Sequence, residues 1–188
     1  MSLPDRRKVL GGVLRLTAAM LAAGSAAGCF QPLYADRGVT GKPGLRDALS
    51  SIRVNQIDAP NGTPEARLAV ELRNQLLFDL TGGAGTNSPT HELTIAMTSQ
   101  RSSVIVDLTS QRPDVENFGV DVVYVLKDLA TGKVVVRSQT FARVSYDTPG
   151  SDQRFARIRG LRDAENRAAK VVADQIMSRL ASYFVAGT

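Results

Sequence analysis

The stretch FGVDVVYVLKDLATGKVVVRSQTFARVSY, residues 118–146, decides the fold. Its first eleven residues alternate: Val120, Val122, Tyr124 and Leu126 fall on one side, Gly119, Asp121, Val123, Val125 and Lys127 on the other. That two-residue period is a strand. Leu129-Ala130-Thr131-Gly132 is a tight connection, and Lys133 to Tyr146 returns with Val134, Val136, Ser138 and Thr140 opposite Val135, Arg137, Gln139 and Phe141. Two alternating runs joined by four residues make a hairpin.

On the N-terminal side of this hairpin, His91 to Val106 is rich in Thr, Ile, Val and Ser and has no breaker, with Leu93, Ile95 and Met97 alternating with Thr94, Ala96 and Thr98. It reads as a third long strand of an antiparallel meander. Between them, Asp107 to Asn117 holds Pro113 and several charges and is expected to be a loop. Further upstream, Thr63-Pro64-Glu65 opens a helix: the threonine caps free amides, the proline suits the first helical position, and the glutamate suits the helix N-terminus. Leu68, Leu72, Leu76 and Leu80 form its apolar stripe and Gly82-Gly83 stops it. Ser51 to Ile57 alternates as a short strand. After Thr148-Pro149-Gly150-Ser151, residues 152–185 read as a long helix with a kink expected near Gly160 and a stripe through Leu161, Ala164, Ala168, Val172, Ile176, Leu180 and Phe184. The order β-α-β-β-β-α predicts an α+β fold: a two-layer sandwich, with a mostly antiparallel four-stranded sheet and two helices on one face, filling residues 51–188 as one domain.

The N-terminal end reads differently. Arg6, Arg7 and Lys8 precede an uncharged, mostly apolar run, Leu16 to Ala27, and small residues lead to Cys29, the chain's one cysteine. This is the pattern of a lipoprotein signal peptide over residues 1–28, with Cys29 taking acyl chains. The bland alternative is a buried core thiol. Asp5 to Leu10 also fits a loose twin-arginine signal, so either export route is open. Residues 29–50, with Pro32, Gly38, Gly41, Pro43 and Gly44, are expected to be the acylated cysteine and a flexible tether. The apolar run is shorter than the roughly 20 residues a membrane span requires, and no other stretch comes closer.

The chain carries 23 Lys+Arg against 18 Asp+Glu, but residues 1–28 hold four of the bases and one acid. The remainder is 19 against 17, net +2, so basicity gives little support to a nucleic-acid partner. There is no Trp, and no second cysteine for a disulfide. With one histidine, His91, no metal site of usual spacing and no Ser-His or Cys-His pair can be assembled. Gly82-Gly83-Ala84-Gly85 follows a helix and lacks the pattern of a phosphate loop. Asp121 and Glu165 are carboxylates whose pairing sequence alone does not decide. The expectation is therefore a non-enzyme without a cofactor or metal. Arg101, Arg112, Lys133, Arg137 and Arg143 fall on the meander or its ends. They are candidate contacts for an anionic ligand, since arginine presents a two-pronged donor to phosphate; for any one of them a solvated face is the alternative.

Cys29-Phe30-Gln31-Pro32-Leu33-Tyr34 resembles the C-G-F-x-P-L-Y start of mature lipoproteins of the LptE family. So do Arg154-Phe155-Ala156, then Asp163-Ala164-Glu165-x-Arg167-Ala168-Ala169, and Ile176-x-x-Arg179-Leu180-Ala181-x-Tyr183-Phe184. The glycine after the cysteine is missing, and Gly160 stands where a helix former is expected. The resemblance implies an outer-membrane lipoprotein, held at the periplasmic face through its acylated cysteine, that plugs an LptD-like β-barrel, supports lipopolysaccharide assembly and touches lipopolysaccharide directly. Two other classes are compatible with the sequence. One is an auxiliary periplasmic lipoprotein of a lipid-transport ABC system. The other is a lipid-anchored hydrolase, which would need a cleft with a carboxylate pair.

Overall fold

The computed structural model describes residues 44–83, 86, 88–107, 112–148 and 153–186, without the side chains of 104–107 and 112–114. Cys29 and the signal-peptide reading lie outside the described residues. The elements are α1 (Leu45–Ser50), β1 (Ile52–Val54), α2 (Pro64–Thr81), β2 (His91–Asp107), β3 (Arg112–Asp128), β4 (Val134–Asp147) and α3 (Arg154–Ala186). The four strands form one sheet in the order β1-β2-β3-β4. β1 pairs parallel with β2, with Ile52 opposite His91, and the other pairs are antiparallel. The α+β sandwich expected from the sequence is the fold observed.

Register explains the layers. Leu93, Ile95 and Met97 stand opposite Leu126, Tyr124 and Val122, which in turn face Val136, Ser138 and Thr140. Directly opposed residues share a face, and on this face the largest side chains are buried beneath α2 and α3. The helices contribute Leu68, Leu72, Leu76 and Leu80 from α2, and Ala168, Val172, Ile176 and Leu180 from α3. α2 begins as the sequence dictates: Thr63 Oγ1 accepts from Ala66 N at 3.2 Å, Pro64 occupies the first turn, and Gly82 closes the helix in the left-handed region at φ 66°.

Three expectations are corrected. Residues 45–50, expected within the tether, form α1, with Leu45 and Leu49 buried. The first strand is three residues long; the chain leaves the sheet after Val54, and Ile57 still turns into the core. The expected loop at 107–117 shrinks to the segment between Asp107 and Arg112, because β2 and β3 both run on. Pro113, read as a breaker, pairs with Val106 where β3 lies beyond the reach of β4, whose last partner is Val115 opposite Asp147. One side of β3 is open there, so the missing N–H costs little, and register shifts at Ser103/Ile105 and Ile105/Val106 absorb the irregularity. α3 runs as one helix from Arg154 to Ala186 through Gly160. A Cβ at Gly160 would stand 3.3 Å from the Asp147 carbonyl oxygen, so the glycine lets α3 pack closely against the end of β4.

β1-α2-β2 is a parallel crossover, so α2 runs back along the sheet, starting where Glu65 meets Ser99 and ending near the start of β2. α3 runs the same way, since its far end brings Phe184 edge-on to His91 at 5.1 Å. Arg67 of α2 bonds to Glu165 and, at 3.1 Å, to Asn166 of α3, which sets the two helices level there.

Candidate functional site

Among the described residues the sheet has one covered face and one open face. On the open face, Thr94, Ala96, Thr98 and Gln100 of β2 stand opposite Val125, Val123, Asp121 and Gly119 of β3, which face Arg137, Gln139, Phe141 and Arg143 of β4. It is mostly polar, with Val123 49% and Phe141 61% exposed.

On the edge strand β4, Arg143 reaches across this face and is fixed from several directions. Nη2 donates to both carboxylate oxygens of Asp121 at 2.9 Å; Nη1 donates to the carbonyls of Val120 at 3.2 Å and Ala142 at 3.0 Å. The guanidinium carbon lies 5.3 Å from the Phe141 ring centroid, a cation–π approach. Gly119 supplies the room. Such a side chain has already lost its rotamer freedom, which is what an interface anchor requires.

A second cluster lies on the covered face at the far end of β2 and β3. Glu116 is 8% exposed. It accepts from the hydroxyl of Tyr146 and, at 3.2 Å, from Arg157 Nη2 in the second turn of α3. Burial, then the hydrogen bond to Glu116 and that carboxylate's charge, push the Tyr146 hydroxyl up to about 12, with Arg101 pulling the other way. Glu65, bonded by its own backbone amide and by Ser99 at 3.0 Å, is held below the usual carboxylate range. Together Glu65, Ser99, Gln100, Arg101, Glu116 and Arg157 line a groove of about 560 Å³.

The five basic candidates do not converge. Arg101 is on the covered side at the far end, opposite Phe118. Arg112 opens β3 opposite Asp107, and its side chain lies outside the description. Arg137 and Arg143 are on the open face. Lys133 is in the β3–β4 turn, about 30 Å along the sheet from Arg101 at some 3.3 Å per residue. Nor do Asp121 and Glu165 pair: the first is held by Arg143 on the open face, the second by Arg67 between the helices. Sequence reading missed Glu116 and Tyr146 as a unit, because Glu116 fell in the expected loop. Among the described residues no cluster of His, Cys, Asp and Glu could hold a metal ion, and no helix is long and apolar enough to cross a membrane.

This architecture is shared with bacterial lipoproteins. A lipoprotein of Caulobacter crescentus CB15 is 25% identical, with a TM-score of 0.61 over 77% of this chain and 97% of that one. Lipoprotein B of Nitrosomonas europaea is 14% identical, with a TM-score of 0.51 over 73% and 90%. The rare lipoprotein B of Shewanella oneidensis is 16% identical, with a TM-score of 0.49 over 71% and 97%. No curated protein matches in sequence. The model of the LptE family, described as lipopolysaccharide-assembly, matches residues 49–180, and the chain belongs to that family.

Proposed function

We propose that this protein is a non-enzymatic lipoprotein of lipopolysaccharide assembly, anchored through Cys29 at the periplasmic face of the outer membrane and enclosed by an LptD-like β-barrel. Family membership supports the assembly role. The observation that carries the barrel reading is the open sheet face. Three strands of 17, 17 and 14 residues have, among the described residues, no helix on one side. An uncovered face with an edge strand in solution is a liability unless charge or a partner protects it. A barrel lumen is polar and water-lined, so a plug requires a polar surface with a few fixed anchors. Thr98, Gln100 and Gln139 supply the polar surface; Arg143 on Phe141 supplies the anchor. Of the five basic candidates for lipopolysaccharide phosphates, Arg137 stands on the open face with Arg143, which Asp121 already engages, whereas Arg101, Arg112 and Lys133 lie apart from them.

Photo-crosslinkers at Thr98, Gln100 and Gln139, all exposed on the open face, test the reading in cells. Adducts with an outer-membrane barrel are the expected outcome. Adducts only with another copy of this chain, together with capture of an inner-membrane transporter component by residues 31–45, would replace it with the auxiliary-lipoprotein reading.

A further inference from the structure

The first turns of α3 carry an unfinished interface. Glu165, Ala169, Val172, Ala173, Ile176 and Leu180 form its buried stripe. Stepping back from Glu165 by three and four residues gives Arg162, Ile158 and Phe155, on the same side of the helix. These are not buried: Phe155 is 82% and Ile158 43% exposed. The cause is the length of α2. It starts at Pro64, and its first turn is already level with Glu165 through Arg67. Residues 154–164 of α3 therefore run on for about 16 Å with no helix beside them among the described residues. The space in line with α2 is the groove floored by Ser99, Arg101 and Glu116.

Charge at this end is one-sided along the helix. α3 has no acidic residue in its first turn; Arg154 and Arg157 stand there instead, at the end where a helix favours anions, and Arg159 and Arg162 follow. Only Arg157 has a carboxylate, Glu116; among the described residues Arg154, Arg159 and Arg162 have none. This cationic end does nothing for the stability of the isolated helix. It suits an anionic occupant.

We propose that the uncovered flank of α3 beside this groove docks an acidic segment of the barrel partner, about 16 Å long, with apolar side chains against Phe155 and Ile158 and carboxylates on Arg154 and Arg162, which share that side of the helix. The proposal rests on the reading that a barrel encloses the domain. A polypeptide fits the lining better than a phosphorylated lipid does. The floor presents two carboxylates, Glu65 and Glu116, beside Arg101. Phosphates would meet those carboxylates, whereas a peptide brings N–H donors for them as well as acceptors for the arginines. The clamp of Glu116 on Arg157 holds the wall in place, so docking orders little of this chain.

The test uses the full-length acylated protein in cells, with a photo-crosslinker replacing Phe155 or Ile158 and a reference crosslinker at Gln139. Expected is an adduct of Phe155 with the barrel, on a barrel peptide that carries Asp or Glu. The double variant R154E, R162E should reduce that adduct about tenfold and leave the Gln139 adduct in place. The double lysine variant should retain most of it. A barrel adduct at Gln139 with none at Phe155 or Ile158 overturns this inference and leaves the plug reading standing. Absence of barrel adducts at all three positions overturns both. Adducts at Phe155 with lipopolysaccharide, with residues 1–43 of this chain or with a second copy overturn the inference in favour of that occupant.

Discussion

Arg143 lies across Gly119: a Cβ on the glycine would stand 2.9 Å from Arg143 Cδ and 3.0 Å from Nε. The glycine thus sets where the guanidinium rests on the open face. In Gly119→Ala the arginine must swing away from Asp121. That ion pair is about half exposed, and such pairs contribute about 1 kcal/mol or less, so urea denaturation should show a loss no greater than this. Recovery of the barrel complex from detergent-solubilised membranes should fall much more, since the anchor is displaced. A variant with unchanged recovery would remove Arg143 from the interface.

Glu116 is a buried acceptor shared by Tyr146 and Arg157. Glu116→Ala strands a buried hydroxyl and should cost about 1–3 kcal/mol in denaturant melts. Tyr146→Phe removes one donor and leaves Arg157 on the carboxylate, so it should cost less, about 1 kcal/mol. If the two variants are equally stable, the cluster is not a coupled unit.

Why the cluster and the groove were hidden in the sequence has a physical answer. Alternation marks a strand only where one face is buried and the other wet. This held for Val120 to Leu126 and for Leu93 to Met97, and the meander was legible there. From Phe118 outward the sheet leaves the apolar core, its covered face turns polar at Arg101 and Glu116, and the pattern fails although pairing continues through the main chain. α1 was obscured by Gly41, Pro43 and Gly44 just before it; only Leu45 and Leu49, four apart, hinted at a helical turn. Arg143 could be singled out as basic, but its setting depends on the register that places Gly119 opposite it. Register is a tertiary property.

His91 gives the fold a pH dependence. Its ring is partly buried against Phe184, with Nδ1 2.8 Å from Thr90 Oγ1. Burial holds its pKa below the usual 6.5, opposed by the charge of Asp128. The unfolded chain then binds the proton more readily, so stability present above pH 6.5 is lost as pH falls through 6.5 towards the folded value. Glu65 and Glu92, held below 4.5, lose their contributions only at lower pH. Thermal melts should decline in the upper window for the wild type and stay flatter for His91→Phe. Parallel curves would rule His91 out as the titrating group.

The anchor is tested by Cys29→Ser. A single acyl chain holds a protein only marginally, at about 0.8 kcal/mol per buried methylene, whereas two or three hold it firmly. The variant should move to the soluble periplasmic fraction in cells depleted of the barrel. Persistence in the membrane fraction there would mean that something other than acylation retains it.

Arg67 and Glu165 join α2 to α3, and the two ends of the bond are not equivalent. The Glu165 side chain is 6% exposed and that of Arg67 37%. Arg67→Ala would leave a carboxylate between helices without its partner, and breaking a buried pair in this way costs about 3–5 kcal/mol. Glu165→Gln keeps the shape and an oxygen acceptor for Arg67, whose guanidinium can also reach Asn166 and water. It should cost about 1–2 kcal/mol, a charged hydrogen bond exchanged for a neutral one. Double-mutant analysis by urea denaturation should show Arg67→Ala far less harmful on the Glu165→Gln background. Additive effects would mean that the two helices are held level by their apolar stripes alone and that Arg67 matters only as a surface side chain.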